Sequence, residues 1–244
     1  MMLKNMKRFD KFLQKAGIKN SFGYDFYFEN YIFNGINLEN KEILDLGGGN
    51  GIASFHALNK CSSCNCFVVD PIEEGSNKLM VAQFNEMKKN FKPGRIFYHR
   101  DFIDTLDNHL KFDIVLMHNS INHIGEDIID EIEFNKHKYQ EYLSRIDTIT
   151  KRLKKDGLLI IADCGSKNFW NNLNLKDPFA PSIDWSLHKE PEIWRKMIEE
   201  IGHQHIDTYW TSRKEFGKLG KLLFANRFLS YFIGRHFVSK FIKI

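Results

Sequence analysis

The chain has 244 residues, 43% of them hydrophobic and 27% charged, a composition that is typical of folded proteins and excludes collagen-like or wholly disordered chains. A chain of this length can bury a substantial core, and its four cysteines are too few for the disulfide framework of a small secreted protein. The formal net charge of +4 does not identify a partner by itself.

The sequence also lacks the marks of a membrane or secreted protein. No uninterrupted apolar stretch approaches the roughly 18 residues of a spanning helix. The first residues, MMLKNMKRFDKF, do not contain the apolar core of a signal peptide. We therefore expect a cytoplasmic protein with reduced thiols.

Two segments are rich in aromatic side chains. We interpret residues 1–38 as an N-terminal helical cap and residues 164–190 as a lid insertion, and both as walls of a substrate site. The alternative is that these aromatic residues only pack within helices and loops. They are Phe22, Tyr24, Phe26, Tyr27, Phe28, Tyr31 and Phe33 in the first segment, and Phe169, Trp170, Phe179 and Trp185 in the second.

Between these segments, short apolar runs alternate with polar-faced stretches, which is the pattern of a parallel sheet whose strands are separated by helices. The last part of the chain adds a strand, a helix and a closing strand. We predict strands at 42–46, 66–70, 95–99, 112–117, 157–163, 206–211 and 237–244, and helices at 51–60, 73–89, 126–153, 191–201 and 219–232.

The predicted helix at 126–153 carries charges that suit its dipole, with acids at its start and bases at its end. Gly157 then supplies a break before the next strand. The elements together predict an α/β fold, a Rossmann-like doubly wound sheet of seven strands, in one domain over residues 39–244. The charged residues of the helix are Asp127, Asp130 and Glu131 at its start and Lys151, Arg152 and Lys154 at its end.

The strongest motif is ILDLGGGNG, an apolar strand that ends in an acid and continues with glycines at alternate positions. Asp45 is followed by Gly47, Gly49 and Gly51. Such glycines allow a ligand to approach the main chain where a side chain would collide. The spacing is not that of a Gly-x-Gly-x-x-Gly dinucleotide loop, because Ser54 stands where its third glycine would be. No Gly-Lys-Ser/Thr follows, so a phosphate P-loop is also excluded.

Here the sequence resembles the class I S-adenosylmethionine-dependent methyltransferases, over about residues 40–211. Asp70 closes the second strand, and the resemblance implies that it accepts both ribose hydroxyls of S-adenosylmethionine. Asp101 matches the family acid that accepts from the adenine amino group, with Phe102 beside the ring. S-adenosylmethionine is the expected cofactor, and S-adenosylhomocysteine the product.

The resemblance implies further cofactor contacts. Asp45 and the main chain of the glycine loop hold the methionine part, while Pro71 and Ile72 flank the adenine. His118, at the end of the fourth strand, is also expected to contact the cofactor. The predicted cofactor-binding set is Asp45, Gly47, Gly49, Gly51, Asp70, Pro71, Ile72, Asp101, Phe102 and His118.

The segment after the fourth strand, MHNSINHIGE, indicates the type of acceptor. It lacks the Asn/Asp-Pro-Pro-aromatic motif of enzymes that methylate amino groups of nucleic-acid bases. Related small-molecule O-methyltransferases have a histidine a few residues past this strand, and His123 occupies that place. A hydroxyl acceptor needs a base, for which histidine suits neutral pH. We favour His123 as this base, with His118 and His188 as alternatives and Asp163 as an orienting group.

We predict no catalytic metal, because the acidic residues of metal-dependent relatives are not matched after the fourth and fifth strands. A zinc site is a minor alternative. Cys61, Cys64 and Cys66 are closely spaced thiols with His56 upstream. They sit in a turn before a strand, however, so we interpret them as ordinary reduced cysteines.

The C-terminal segment 213–244 is basic, with eight Lys and Arg residues and one acid, Glu215. It either forms the last helix and strand of the sheet or also contacts a membrane surface or a phosphorylated or lipid-linked acceptor. The segments DPFAPSIDW and WSLHKEP resemble those of bacterial methyltransferases of surface-polysaccharide biosynthesis, such as capsule or lipopolysaccharide.

Together these features predict O-methylation of a small molecule, namely a sugar, a sugar nucleotide or a phosphorylated glycan precursor. An RNA or protein methyltransferase that uses the basic tail is a first rival. A non-catalytic methyltransferase-like binding module is a second. A nicotinamide dehydrogenase is disfavoured by the glycine spacing, and nucleic acid is not the expected partner.

Overall fold

The chain folds around one mixed β-sheet. A computed structural model describes residues 8–72, 77–178, 180–181 and 183–244, and within these residues seven strands form a sheet of order β3-β2-β1-β4-β5-β7-β6. The strands are β1 (Glu42–Leu46), β2 (Asn65–Val69), β3 (Ile96–His99), β4 (Phe112–His118), β5 (Leu153–Cys164), β6 (His203–Trp210) and β7 (His236–Lys243).

The helices in the described residues lie on both faces of this sheet. Several short 3₁₀ and π turns connect them. The α-helices are α1 (Arg8–Lys15), α2 (Tyr24–Tyr27), α3 (Ile52–Lys60), α4 (Lys78–Lys88), α5 (Lys136–Thr150), α6 (Phe169–Asn172), α7 (Pro191–Glu200), α8 (Gly217–Leu223) and α9 (Arg227–Leu229).

The strand directions bring several strand ends to one edge. Strands β1 to β5 pair in parallel, whereas β7 runs antiparallel to both β5 and β6. His118 of β4 therefore pairs with Ala162 of β5, and Cys164 of β5 pairs with His236, the first residue of β7. The predicted α/β doubly wound sheet of seven strands is confirmed, and its carboxyl edge gathers side chains that lie far apart in the sequence.

Alternate residues of each strand supply two apolar cores, one on each face. On one face, Ile43 and Leu116 pack with α1, α3, α4 and the N-terminal segment. On the other, Leu44 and Met117 pack with α5 and α7, where the Trp194 side chain is fully buried. Both faces of the central strands are thus covered, which explains why their sequences read as continuous apolar runs.

The N-terminal segment packs against the sheet as part of the first core. Phe9, Leu13 and Phe28 are buried there. The carboxylate of Asp10, itself buried, accepts hydrogen bonds from the backbone N–H groups of Gly23 (2.8 Å) and Asp25 (2.9 Å), at the start of α2. The division of the chain into a cap over residues 1–38 and a methyltransferase domain stays a prediction.

The predicted lid lies between β5 and α7, where it contains α6 and a 3₁₀ turn at Trp185–Leu187. The guanidinium of Arg235, just before β7, forms an ion pair with the carboxylate of Asp177, and both side chains are buried. The same guanidinium lies 5.3 Å from the Trp185 ring. These contacts attach the segment to the sheet. Phe179 of the predicted lid lies outside the described residues.

The predicted helix at 126–153 is wrong at both ends. Helix α5 begins at Lys136, because the side chain of Asn135 caps it by accepting from the backbone N–H groups of His137 (3.1 Å) and Lys138 (3.3 Å). The three acids assigned to its start precede it in turns. At the other end β5 begins at Leu153, so Gly157 lies within that strand, next to a register shift against β4.

Two other predicted helices also differ from the structure. The helix at 219–232 is interrupted after Leu223, and Asn226 starts the short α9 by accepting from the backbone N–H of Leu229 at 3.0 Å. The predicted start of the helix at 73–89 lies outside the described residues, and α4 begins at Lys78. None of the helices in the described part of the chain is long and apolar enough to cross a membrane.

Arg152 has a different role from the one that its sequence position suggested. Its buried guanidinium donates to the backbone carbonyls of Ile103, Leu106 and Asp107, all at 2.8 Å, and to Asn108 Oδ1 at 3.0 Å. Arg152 therefore stabilises the loop that follows β3. The pattern of charges along the predicted helix 126–153 could not indicate this role.

Arg152→Met tests this role. The substitution leaves several carbonyls without a donor, so we expect the free energy of unfolding to fall by about 3 kcal/mol. The measurement is urea denaturation at neutral pH. Lys151→Met, at an exposed neighbour, is the control and should change stability by less than about 1 kcal/mol. Equal effects of the two substitutions would contradict the role of Arg152.

Candidate active site

A cleft of about 940 Å³ opens at the carboxyl edge of the sheet. It runs from the glycine loop after β1, past the segments that follow β2 and β3, to the segment between β4 and α5. The sequence-predicted residues that line it are Gly47, Gly49, Asp70, Pro71, Phe102, His118 and His123. The predicted residues that are not part of its lining are Asp45, Gly51, Ile72, Asp101 and His188.

Two glycines of the loop have no room for a side chain. Gly47 has φ +67°, and a Cβ there would lie 2.4 Å from Ser120 Cβ. Gly51, just before α3, has φ +73°, and a Cβ would meet the Phe84 ring at 2.9 Å. L-amino acids rarely adopt these angles. The loop is therefore a bare main-chain cradle at the cleft wall, which fits the close approach of a cofactor.

Asp70 connects this loop to the end of β2. One carboxylate oxygen accepts from the Gly49 N–H at 2.7 Å and the other from the Ile72 N–H at 2.8 Å. A carboxylate has about four acceptor positions, so these two bonds are compatible with hydrogen bonds from ribose hydroxyls. Ile72 has φ +62°, which is a strained conformation for a β-branched residue. Ile72 is one of the two residues predicted to flank the adenine.

Asp45 supports the loop from behind, outside the cleft lining. Its buried carboxylate accepts from Ser54 Oγ at 2.7 Å, and a Cβ on Gly48 would lie 2.8 Å from its Cγ. Burial raises the pKa of Asp45 to about 6. Its predicted contact with the methionine part of the cofactor stays a prediction.

The segment after β3 contains Asp104, an acid that was not predicted from the sequence. The predicted acid, Asp101, accepts from the N–H of the next residue, Phe102, at 2.8 Å. Asp104 lies one 3₁₀ turn further along and does line the cleft, as does the Phe102 ring, which is 53% exposed. The strand boundary pointed to Asp101, and the turn that follows brings Asp104 to the cleft instead.

His123 forms a histidine–carboxylate pair in the cleft wall. Its Nδ1 contacts Glu126 Oε1 one 3₁₀ turn further on, and both residues line the cleft. A carboxylate on Nδ1 fixes the tautomer that leaves Nε2 as the acceptor. Glu126 was missed, although its position three residues after the histidine is the spacing of neighbours on one helical face.

His118 belongs to a second group of polar side chains. Its Nε2 lies 3.3 Å from the Tyr27 hydroxyl, which is also 3.2 Å from His236 Nδ1. The other ring nitrogen of His236 lies 2.8 Å from Asn119 Oδ1. Burial lowers the pKa of His118 to about 4 and that of His236 well below its usual value. Both imidazoles are therefore neutral at physiological pH.

The third candidate base, His188, is paired with a carboxylate. Its Nδ1 lies 3.1 Å from an oxygen of the fully buried Asp163 at the end of β5. His188 is not among the residues that line the cleft. It lies on the β5–β7 side of the carboxyl edge.

The cysteine cluster does not form a metal site. In the part of the chain that the structure describes, no group of three His, Cys, Asp or Glu side chains is arranged to hold a metal ion. His56 instead lies 3.4 Å from Asp25 of the N-terminal segment. Cys61 directly after α3, Cys64 just before β2 and Cys66 within β2 are free thiols.

The comparison with protein families identifies the chain. A family model described as a methyltransferase domain matches residues 37–204. The chain belongs to this methyltransferase family. The predicted class I methyltransferase and its S-adenosylmethionine cofactor are thereby confirmed. No match was found among curated protein sequences.

Solved structures share the fold at low sequence identity. An O-methyltransferase family 2 protein from Planctomyces limnophilus, in complex with apigenin, is 16% identical with a TM-score of 0.56, over 98% of this chain and 63% of that one. This chain thus spans less than two thirds of that protein. The N-methyltransferase NodS from Bradyrhizobium japonicum, in complex with S-adenosylhomocysteine, is 9% identical with a TM-score of 0.56, over 97% and 99% of the two chains.

A third structure broadens the chemistry found on this fold. Magnesium protoporphyrin IX methyltransferase (ChlM) from Synechocystis, with bound S-adenosylhomocysteine, is 13% identical with a TM-score of 0.54, over 85% of this chain and 76% of that one. These likenesses show the fold of the methyltransferase family. They do not choose between oxygen and nitrogen acceptors.

Asp70 after β2, and Asp101 and Asp104 after β3, provide a test of the cofactor site. We expect Asp70→Ala to weaken S-adenosylhomocysteine binding by about 1.5 to 3 kcal/mol, because hydrogen bonds to a charged acceptor are lost. Asp104→Ala should weaken it more than Asp101→Ala, since only Asp104 lines the cleft. Isothermal calorimetry measures all three. Unchanged affinity for Asp70→Ala, or a larger effect at Asp101, would contradict this geometry.

The raised pKa of Asp45 has a consequence for stability. An unfolded aspartate has a pKa of about 3.9, so folding disfavours the charged form, and this cost grows as pH rises from about 4 to about 6. We expect Asp45→Asn to be more stable than the wild type at pH 8, by about 2 kcal/mol, and to lose this advantage near pH 4. Urea denaturation at both pH values measures the difference. An advantage that does not depend on pH would refute the assignment.

Proposed function

We propose that this protein transfers the methyl group of S-adenosylmethionine to a hydroxyl oxygen of a small polar acceptor. We further propose that the acceptor is a sugar, a sugar nucleotide or a phosphorylated glycan precursor, as in bacterial surface-glycan biosynthesis. The observation that carries the proposal is the His123–Glu126 pair in the wall of the cleft that also contains the glycine loop and Asp70.

The chemistry follows from what a hydroxyl acceptor requires. When bound, S-adenosylmethionine supplies a methyl group on a sulfonium, which is already electrophilic. The chain therefore needs to align the two reactants, exclude water and take the hydroxyl proton. In this proposal the cradle of Gly47 to Gly49 and the Asp70 carboxylate bind the cofactor. His123 Nε2 accepts the proton of the acceptor, and Glu126 stabilises the imidazolium that results.

His123 suits this role better than the other two histidines. A pKa of about 4 makes His118 a weak base at neutral pH. His188 is paired with Asp163 but does not line the cleft. We assign His118, with Tyr27 beside it, to positioning of the acceptor or cofactor at the end of β4.

The cleft wall beyond the glycine loop contains polar side chains among apolar ones such as Ile124 and Ile149, and these polar groups could bind a hydroxylated acceptor. Asn119, Glu126, Asp127, Arg145 and Thr148 line it. Arg145 is bound to Asp127 at 2.8 Å and to Glu141 at 2.8 Å, so the wall is an ordered set of donors and acceptors. Side chains of this kind fix the orientation of polar ligands.

The rival functions predict different acceptors. An RNA or protein methyltransferase would produce S-adenosylhomocysteine only with a macromolecular acceptor, and RNA binding would weaken strongly with salt. A binding module would take up the cofactor without turnover. The first experiment is therefore S-adenosylhomocysteine formation with a panel of sugar nucleotides and glycan phosphates, beside RNA and a protein extract. Turnover with the macromolecules alone would overturn the small-molecule acceptor.

The base assignment is tested by substitution. We expect His123→Ala to lower turnover by about 100-fold or more, because general-base catalysis is lost, while cofactor affinity changes little. Glu126→Gln should lower turnover by a smaller factor. His188→Ala is the matched control, since it removes a carboxylate-paired histidine outside the cleft lining. If His188→Ala is inactive and His123→Ala is not, the base is His188.

A further inference from the structure

The connection between β6 and β7 presents apolar side chains to solvent. On α8, Leu219, Leu222 and Leu223 are 62%, 79% and 47% exposed, and their i, i+3, i+4 spacing places them on one side of the helix. We call these three residues the leucine face. Phe228 on α9 is 72% exposed as well. A group of exposed large apolar residues within one short segment marks an interaction site.

The leucine face is held outward by the packing of α8. Gly220, on the inner side of the helix, is buried, and a Cβ there would lie 2.5 Å from Ser212 Oγ. Ser212 Oγ in turn lies 2.9 Å from the Tyr31 hydroxyl. Lys221 Nζ donates to the Asn30 carbonyl at 3.2 Å. A rotation that buried the leucines would break this close contact.

Basic residues accompany the leucine face. Lys218 and Lys221 are exposed on the same helix, and in the described ranges no carboxylate is paired with either of them. Arg227 does have a partner, because its guanidinium lies 3.2 Å from Glu192. After Glu215, which is 2.9 Å from Lys214, the sequence contains no further acid. The surface is therefore apolar and cationic together.

The position of this surface follows from the strand directions. Strand β6 ends and β7 begins at the carboxyl edge of the sheet, so the segment 211–235 between them lies at the same edge as the cleft. It packs on the N-terminal segment, whose Tyr27 contacts His118 in the cleft wall. The surface is thus on the side of the molecule where the site opens.

We propose that α8 and α9 bind the surface of a bilayer that contains anionic lipids. The leucine face and Phe228 enter the interface between headgroups and acyl chains, and Lys218 contacts the lipid phosphates. Apolar burial together with attraction to anionic headgroups is the combination that retains interfacial helices on membranes. The inference does not depend on the identity of the methyl acceptor.

A second copy of the chain is a poorer occupant for this surface. A symmetric pair of leucine faces would bring Lys218 of both copies close together, where like charges repel. RNA would satisfy the lysines but would leave the leucines exposed to water. The anionic bilayer is the occupant that satisfies both kinds of side chain.

The test is co-sedimentation of the full chain with vesicles of phosphatidylcholine, with and without about one third phosphatidylglycerol. We expect the anionic vesicles to bind at least about tenfold more tightly. Leu222→Glu should weaken this binding by about tenfold, and Lys218→Ala by about fivefold. Phe134→Glu and Lys155→Ala are the matched controls, because they change an equally exposed apolar residue and an exposed lysine elsewhere. Both controls should bind like the wild type.

Three results would overturn the proposal. The first is equal or absent binding to the two kinds of vesicle. The second is a loss of binding in the control variants that matches the loss in Leu222→Glu. The third is a wild-type dimer in analytical ultracentrifugation that Leu222→Glu converts to a monomer, which would assign the leucine face to a second copy. Circular dichroism of each variant verifies that it is folded.

Discussion

The hydrogen bond from the Gly49 N–H to the Asp70 carboxylate, at 2.7 Å, joins the two strand ends on which the cofactor site depends. The same two strand ends are also joined by the Gly47 N–H, which donates to the Val69 carbonyl at 2.8 Å. Asp70 is buried, so the bond is shielded from water and its loss would leave a buried carboxylate less well satisfied. The Ile72 N–H, in a strained backbone conformation, donates to the same carboxylate.

The other half of the site depends on long-range packing. Tyr27, from the N-terminal segment, reaches both His118 of β4 and His236 of β7. Arg152, the residue before β5, donates hydrogen bonds to the carbonyls of the loop after β3. Four strand ends and the N-terminal segment are thereby fixed relative to one another. A catalytic base acts efficiently only when the surrounding wall is fixed in this way, and this applies to the base that we propose at His123.

Much of this arrangement was predictable from local sequence. The strands were predictable because their apolar runs are continuous, and Asp70 was singled out by the resemblance to class I methyltransferases, whose acid at the end of the second strand it matches. The predictions that were wrong or missing concern places where two local signals compete, or contacts between residues far apart in the sequence. Asn135 caps α5 and overrides the acids before it, and a 3₁₀ turn brings Asp104 rather than Asp101 to the cleft. Tyr27 and His236 are more than 200 residues apart in the sequence, so no local sequence pattern predicts their contact.

The central claim is that the glycine loop and Asp70 form a site for S-adenosylmethionine. The most direct measurement is calorimetric titration of the purified protein with S-adenosylhomocysteine, with NADH titrated in parallel. The account predicts one site per chain with a dissociation constant in the micromolar range and no heat of binding with NADH. Binding of NADH, or the absence of any S-adenosylhomocysteine binding, would contradict it.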